Sequence, residues 1–341
     1  MKKKVLITGG TGYIGSHTAV EFIQKGYEVF IIDNLSNSQI DTLDGIEKIT
    51  GIRPYFEQFD LCEKNKVDDF FERNTGILSI IHFAASKAVG ESVQKPLLYY
   101  QNNLVSLMNL LSVIEKNNHI SMVFSSSCTV YGEPDTLPVS ETSPIKPAAS
   151  PYGNTKQISE EIIRDFIFAN RNVKAIALRY FNPVGAHESA LIGELPLGVP
   201  ANLVPYITQT AAGIRKELSV NGNDYNTSDG TCIRDYIHVV DLAVAHVIAA
   251  ERLIENKNKQ NFEIFNLGTG NGCTVLEVIK SFEKVANQKL NYKIIGRRAG
   301  DVEKVYSDTE FANRELGWKA IKTLDDMMLS AWNWEKRIRN I

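Results

Sequence analysis

Thr8-Gly9-Gly10-Thr11-Gly12-Tyr13-Ile14-Gly15 is the stretch that decides the fold. It follows the apolar run Val5-Leu6-Ile7 and opens a helix-length amphipathic segment, residues 14–25. Two glycine registers fit at once, Gly9-x-x-Gly12-x-x-Gly15 and Gly10-x-Gly12-x-x-Gly15. In either, glycines permit the tight turn, let backbone amides approach a pyrophosphate, and allow close helix–strand packing. The helix then presents the positive end of its dipole to the anion. Asp33 closes the second expected strand, 18 residues after Gly15. An acid there hydrogen-bonds an adenosine ribose and repels a 2′-phosphate, which favours NAD over NADP. A plainer role for Asp33, as a cap or turn residue, is the alternative.

Outward from this loop, short β-branched or aromatic runs at 4–8, 27–33, 54–59, 77–82, 120–126 and 173–180 alternate with helix-length stretches at 14–25, 66–74, 96–117 and 152–169. Such alternation predicts an α/β fold, a Rossmann-type doubly wound parallel sheet. Past residue 181 the rhythm loosens, with Pro183, Pro196, Pro200 and Pro205 among glycines. That composition predicts a smaller C-terminal α/β domain, 181–341 after 1–180. Helices at 239–253, 274–286 and 324–337 and strands at 262–267 and 291–295 complete it.

The chain has 341 residues, 37 Lys and Arg against 40 Asp and Glu, 43% apolar and 23% charged residues. Ordinary globular usage excludes general disorder, and a net charge of −3 argues against a nucleic-acid partner. Lys2-Lys3-Lys4 imitates a signal peptide, but the apolar run after it stops at three residues, and no membrane-length apolar span follows. Cys62, Cys128, Cys232 and Cys273 form no CxxC pair, and the six histidines show no HxxxH or HExxH spacing. A reduced cytoplasmic protein with no metal and no membrane partner is expected.

Ser150-Pro151-Tyr152-Gly153-Asn154-Thr155-Lys156 opens another expected helix, and Tyr152 and Lys156, four apart, share a face. Alone this is an ordinary surface pair; beside a dinucleotide loop it supplies the base that hydride chemistry on an alcohol needs. Making a phenolate at pH 7 costs about 4 kcal/mol, and an ammonium about 4 Å away returns about 4 kcal/mol at an effective dielectric of about 20. The preceding strand ends in Ser125-Ser126-Ser127-Cys128-Thr129. Doubly wound sheets place ligand chemistry at strand C-termini, where one of these three serines can relay the hydroxyl proton or merely cap a turn.

Gly9–Gly15, Asp33, Ser127, Tyr152 and Lys156 together resemble the extended short-chain dehydrogenase/reductase family. TGGTGYIGSHT, IHFAASKAVGESVQKP, FSSSCTVYG, RYFNPVGAH, GNDYNTSDGT, RDYIHVVDLA, NLGTG and RRAGD are similar, in order, to its UDP-hexose 4-epimerase branch. The resemblance implies an enzyme with tightly bound NAD that interconverts UDP-glucose and UDP-galactose by transient oxidation at carbon 4. Tyr152 would take the 4-hydroxyl proton, assisted by Ser127. It implies NAD contacts at Gly9, Gly12, Tyr13, Ile14, Gly15, Asp33, Asn34, Asn37, Ser38, Asp60, Leu61, Phe83, Ala84, Lys87, Asn102, Tyr152, Lys156 and Phe181. Nucleotide-sugar contacts are implied at Ser127, Asn182, Asn202, Leu203, Arg234, Arg298 and Asp301; guanidinium groups suit a pyrophosphate because they bind its oxygens bidentately. The family also implies a homodimer through the helices at 96–117 and 152–169.

Four residues after Asp301, where restricted members carry tyrosine, stands Val305, which extends the expectation to UDP-N-acetylglucosamine and UDP-N-acetylgalactosamine. Nearby departures, Ala85-Ser86 before Lys87 and Asn154-Thr155 before Lys156, leave the catalytic spacing intact. The rivals are a UDP-glucuronate 4-epimerase or decarboxylase, a nucleotide-sugar 4,6-dehydratase, and a non-catalytic NAD-sensing module. Dehydratases resemble one another in an Asp-Glu pair where this chain has Cys128-Thr129, and sensing modules typically lose the Tyr-Lys pair kept here.

Overall fold

A computed structural model describes residues 2–298 and 302–341. Within them the chain runs β1 (Lys4–Thr8), α1 (Tyr13–Gln24), β2 (Glu28–Asp33), α2 (Thr42–Thr50), β3 (Tyr55–Gln58), α3 (Lys64–Arg73), β4 (Ile77–His82), α4 (Val89–Gln94), α5 (Pro96–Lys116) and β5 (Ser121–Ser127). A 3-10 turn (Cys128–Tyr131) leads to α6 (Pro151–Ala169), β6 (Ala175–Tyr180), β7 (Asn182–Val184), α7 (Leu203–Ala211), β8 (Leu218–Asn221), β9 (Ile233–His238) and α8 (Val239–Ile254). Then come β10 (Phe262–Leu267), β11 (Gly272–Thr274), α9 (Val275–Ala286), β12 (Tyr292–Ile295), β13 (Lys304–Val305) and α10 (Leu324–Arg339).

The chain divides into two compact units. The first comprises Met1–Glu133, Pro144–Tyr180 and Ala243–Phe265. Its sheet has the order β10-β6-β5-β4-β1-β2-β3, and each pair from β3 to β6 is parallel. β1 and β5 are buried along almost their whole length, as strands covered on both faces must be. Leu6, Ile80, Met122, Leu107 and Ile163 belong to one core that joins strands to helices α5 and α6. Both helices begin with proline in the first turn, where no hydrogen bond is lost, and the Ser150 hydroxyl caps α6 by accepting from Gly153 N at 3.2 Å. Strand order reverses between β1 and β4, so the C-terminal ends of these strands flank the crevice where such sheets bind ligands.

The second unit comprises Pro134–Ser143, Phe181–Leu242 and Asn266–Ile341. It holds the sheet β11-β9-β13 with β7 added on β9, and a parallel pair β12-β8. Its own core gathers Ile207, Val220, Ile279, Phe282, Met328 and Trp332. Capping boxes start α9 (Thr274 with Glu277) and α10 (Thr323 with Asp326).

These units are not made by one cut at residue 180. The helix and strand expected at 239–253 and 262–267 belong mostly to the first unit. β10 extends its sheet beyond β6, where Ala175 N donates to Asn261 O at 2.8 Å. Residues 134–143 join the second unit, because Val139 N donates to Tyr306 O at 2.9 Å and Asn266 Nδ2 to Val139 O at 2.9 Å.

Candidate active site

The glycine loop is built by close approach. Gly9 has φ +70°, donates to Ile32 O at 2.8 Å, and would place a Cβ 2.8 Å from Ala84 N. A Cβ on Gly15 would lie 2.3 Å from Gly9 O, so only glycine lets α1 seat on the loop. Gly12 is different: it caps α1 with no side-chain hydrogen bond, and its Cβ would meet only Gly9 O, at 3.1 Å. Tyr13 and Ile14 form the first turn behind it. A helix start with no side-chain cap, where Gly12 leaves the backbone amides open to close approach, fits a dinucleotide pyrophosphate.

Asp33 ends β2 and is 9% exposed. Its carboxylate accepts from Thr11 N at 3.2 Å, Leu35 N at 2.9 Å and Ser38 Oγ at 3.0 Å. The loop-organising role of this acid is therefore real, and lone pairs remain for a ribose hydroxyl. Asn34 Nδ2 donates to Asp60 Oδ2 at 3.1 Å, which brings the ends of β2 and β3 together beside buried Leu61. Phe83 N donates to Thr8 O at 3.0 Å and Asn102 Nδ2 to Ser86 Oγ at 3.1 Å. Asn37 and Lys87 are exposed at the same strand ends, and Phe181, buried, begins the second unit.

Ser127 is the last residue of β5 and Tyr152 and Lys156 lie on the first turns of α6. The Ser127 hydroxyl hydrogen-bonds Tyr152 and also accepts from Thr129 N at 3.3 Å, so it both serves the tyrosine and caps the turn. Lys156 is 4% exposed; its Nζ donates to Ser125 O at 2.7 Å, with the Phe124 ring centroid 4.9 Å away and that of Tyr152 at 5.9 Å. His82 hydrogen-bonds the Thr8 hydroxyl, and burial, with the Lys156 charge, drops it to about 3, so the imidazole is neutral.

One expectation is corrected. The spacing of four residues sets the Lys156 ammonium against the Tyr152 phenol, with the two energies in balance. Instead burial dominates both groups: it pushes Tyr152 up to about 12 against the Ser127 hydrogen bond, and lowers Lys156 to about 8. The ammonium is directed at a carbonyl, and Tyr152 gains too little from it to titrate near neutrality.

In the second unit, Asn182 starts β7 and Asn202 caps the N-terminus of α7, its Nδ2 donating to Glu194 Oε1 at 2.7 Å. Leu203 begins that helix. Arg234 lies on β9 with Cys273 and Val305 as its register partners on either side. Val305 is 9% exposed, Arg298 is exposed, and Asp301 lies outside the described residues.

Sequence reasoning passed over Glu160 and Arg179. They form a buried bidentate pair one turn beyond Lys156, with contacts of 2.9 and 2.5 Å. The signal was the continued spacing of four along α6; nothing in the sequence named the arginine, 19 residues on.

Comparison with known proteins follows the same lines. The family described as GDP-mannose 4,6 dehydratase matches residues 6–330. UDP-glucose 4-epimerase of Haemophilus influenzae is 48% identical over 332 residues, 97% of each chain. The crystal structure of UDP-glucose 4-epimerase from Bifidobacterium longum in complex with NAD+ and UDP has 47% identity and a TM-score of 0.93, covering 99% of both chains. That from Stenotrophomonas maltophila, with bound NAD and formylated UDP-arabinopyranose, has 44% identity and a TM-score of 0.95, again over 99% of both.

Proposed function

We propose that this chain, which belongs to the UDP-glucose 4-epimerase family of extended short-chain dehydrogenases/reductases, interconverts UDP-glucose and UDP-galactose. The observation that carries this reading is the Ser127–Tyr152–Lys156 arrangement where the start of α6 meets the C-terminal end of β5, in the same parallel sheet whose β1 leads into the glycine loop. NAD, once bound, supplies the hydride acceptor and a positive charge. Tyr152 takes the proton from the 4-hydroxyl and later returns it to the same oxygen; the hydride that carbon 4 gives up comes back to the opposite face of that carbon, so the configuration inverts with no net redox change. Ser127 holds that hydroxyl through its own, and Lys156 keeps a positive charge behind the phenol.

The first unit is read as the NAD-binding one and the second as the nucleotide-sugar-binding one, with Asn182, Asn202, Leu203, Arg234, Arg298 and Asp301 holding the UDP-sugar. The matched dehydratase description is broader than this chemistry. Eliminating water needs a carboxylic acid and a carboxylate, and the turn after Ser127 offers Cys128 and Thr129. UDP-N-acetylglucosamine and UDP-N-acetylgalactosamine are read as further substrates because Val305 is small. Good turnover of UDP-galactose beside none of UDP-N-acetylgalactosamine would remove them.

Among the described residues no helix is long and apolar enough to cross a membrane. Residence in the cytoplasm is part of this reading, which the four free cysteines support. So is a homodimer through α5 and α6, for which exposed Leu97, Leu98 and Phe168 argue; sedimentation at twice the chain mass tests it. The activity itself is tested by following UDP-galactose into UDP-glucose.

A further inference from the structure

Tyr152, Lys156 and Glu160 stand four residues apart on α6 and project from one face. Three consecutive residues of β5 meet them. Ser127 hydrogen-bonds Tyr152, Ser125 O accepts from Lys156 Nζ at 2.7 Å, and Ser126 Oγ donates to Glu160 Oε1 at 2.5 Å. From β6, Arg179 Nε donates to Glu160 Oε1 at 2.9 Å and Nη2 to Oε2 at 2.5 Å. Arg179 Nη1 donates to Tyr131 Oη, in the turn after Ser127, at 2.9 Å. Glu160, Arg179, Ser126 and Tyr131 are each 1% exposed or less.

Packing alone does not call for such a pair, since apolar residues of similar volume stabilise a core as well or better. What the pair adds is direction, because bidentate geometry fixes both partners. One carboxylate ties the helix carrying Tyr152 to β5 and β6, and Arg179 carries the link on to Tyr131 in the turn after Ser127.

We propose, resting on the function read above, that Glu160 is a positioning residue for the epimerisation: gripped by Arg179 and Ser126, it sets the height of α6 against the end of β5, so that Tyr152 meets Ser127 and Lys156 meets the Ser125 carbonyl. Its charge also bears on Lys156, whose fall by burial Glu160 opposes. The other titratable groups facing this part of the helix include Tyr152 itself, Cys128 and Tyr131 in the turn after β5, His82 on β4, Arg179 and Tyr180 on β6, Tyr99 on α5 and, through Tyr99, Glu91 on α4. Of these Glu91 is the other carboxylate, and it is engaged by Lys95 and Tyr99.

The full chain is compared as wild type, Glu160→Gln, and Glu160→Leu/Arg179→Met, the last leaving neither charge of the pair in the core. Two readouts are taken: kcat and KM for UDP-galactose against pH, and the titration of Lys156 Nζ by nitrogen NMR, assigned with Lys156→Met. Both variants are expected to lose about tenfold or more in kcat with KM within about threefold. In Glu160→Gln, Lys156 titrates roughly one pH unit lower, and the basic limb of kcat moves with it. If Glu160→Gln does not fold, the apolar pair carries the test, with a wild-type melting temperature and the same loss of kcat. Wild-type kcat in the apolar pair, or a loss of kcat that tracks melting temperature while pH limbs and Lys156 titration stay put, overturns the proposal. A wild type that converts no UDP-galactose overturns the functional reading alone, since the Lys156 titration still reads the grip without turnover.

Discussion

At Tyr152 the energetics set the terms of catalysis. Burial holds the phenol at about 12, so its phenolate at pH 7 costs roughly 7 kcal/mol. The Lys156 ammonium, 5.9 Å from the centre of the Tyr152 ring, returns only about 3 kcal/mol at an effective dielectric of about 20. Burial therefore opposes the phenolate by more than the lysine returns, and on the proposed reading the positive charge of bound NAD would be needed for Tyr152 to act as a base. Tyr152→Phe is therefore expected to lower kcat by about 10²–10⁴-fold while NAD, held by the many other implied contacts, is largely retained, as read by turnover and by cofactor content. The pH dependence follows from Lys156, whose folded value is depressed by burial to about 8. Rising pH strips that proton and removes the cation behind the phenol, so kcat falls as pH passes through about 8. A profile flat to about pH 10, the free lysine range, would contradict this assignment.

The elements fix these residues through close backbone approach, and the glycines of the β1–α1 loop should separate two effects. Gly15→Ala puts a Cβ against backbone at 2.3 Å from Gly9 O and 2.8 Å from Gly10 Cα, so α1 must shift. A loss of about 1–3 kcal/mol in stability, together with loss of NAD, is expected in thermal melts and cofactor absorbance. Gly12 has an ordinary φ of −72° and one near contact, so Gly12→Ala should melt as wild type yet retain less NAD. Equal melting losses in both would contradict the division of roles. The same elements show what the sequence makes legible. Strands β1, β4 and β10 match expectation residue for residue: β1 and β4 are mostly apolar runs, and β10 keeps Phe262, Ile264, Phe265 and Leu267 apolar between Asn261 and Gly268. β9 escaped notice because Arg234 and Asp235 interrupt its apolar pattern, and β7, β11 and β13 are too short to show a period. α7 contains Pro205 and several β-branched residues, so its helical state rests on burial of Val204 and Ile207 rather than propensity. The Tyr152 and Lys156 pair is legible in its spacing of four, whereas spacing leaves Ser125, Ser126 and Ser127 open and only the family resemblance picks out Ser127. The aim of the Lys156 ammonium and its cost of burial were not, because both depend on what β5 presents to the helix.

On the scale of the whole molecule, the chain order and the unit order differ. Residues 1–180 lack α8 and β10, although Ala243–Phe265 belongs to the first unit and β10 flanks β6. A chain ended after Tyr180 bares the β6 edge and loses the buried ring contact of Tyr180 with His246. It is expected to aggregate or to give a collapsed NMR spectrum; a dispersed spectrum with NAD bound would contradict the interleaved units. The complete chain carries the central claim, that the enzyme closes a redox cycle on a cofactor it keeps. The most direct test is to incubate the purified full-length protein with UDP-galactose, adding no cofactor, and to follow UDP-glucose by chromatography. Formation of UDP-glucose to equilibrium is the expected result, and no conversion even after NAD is supplied would contradict it.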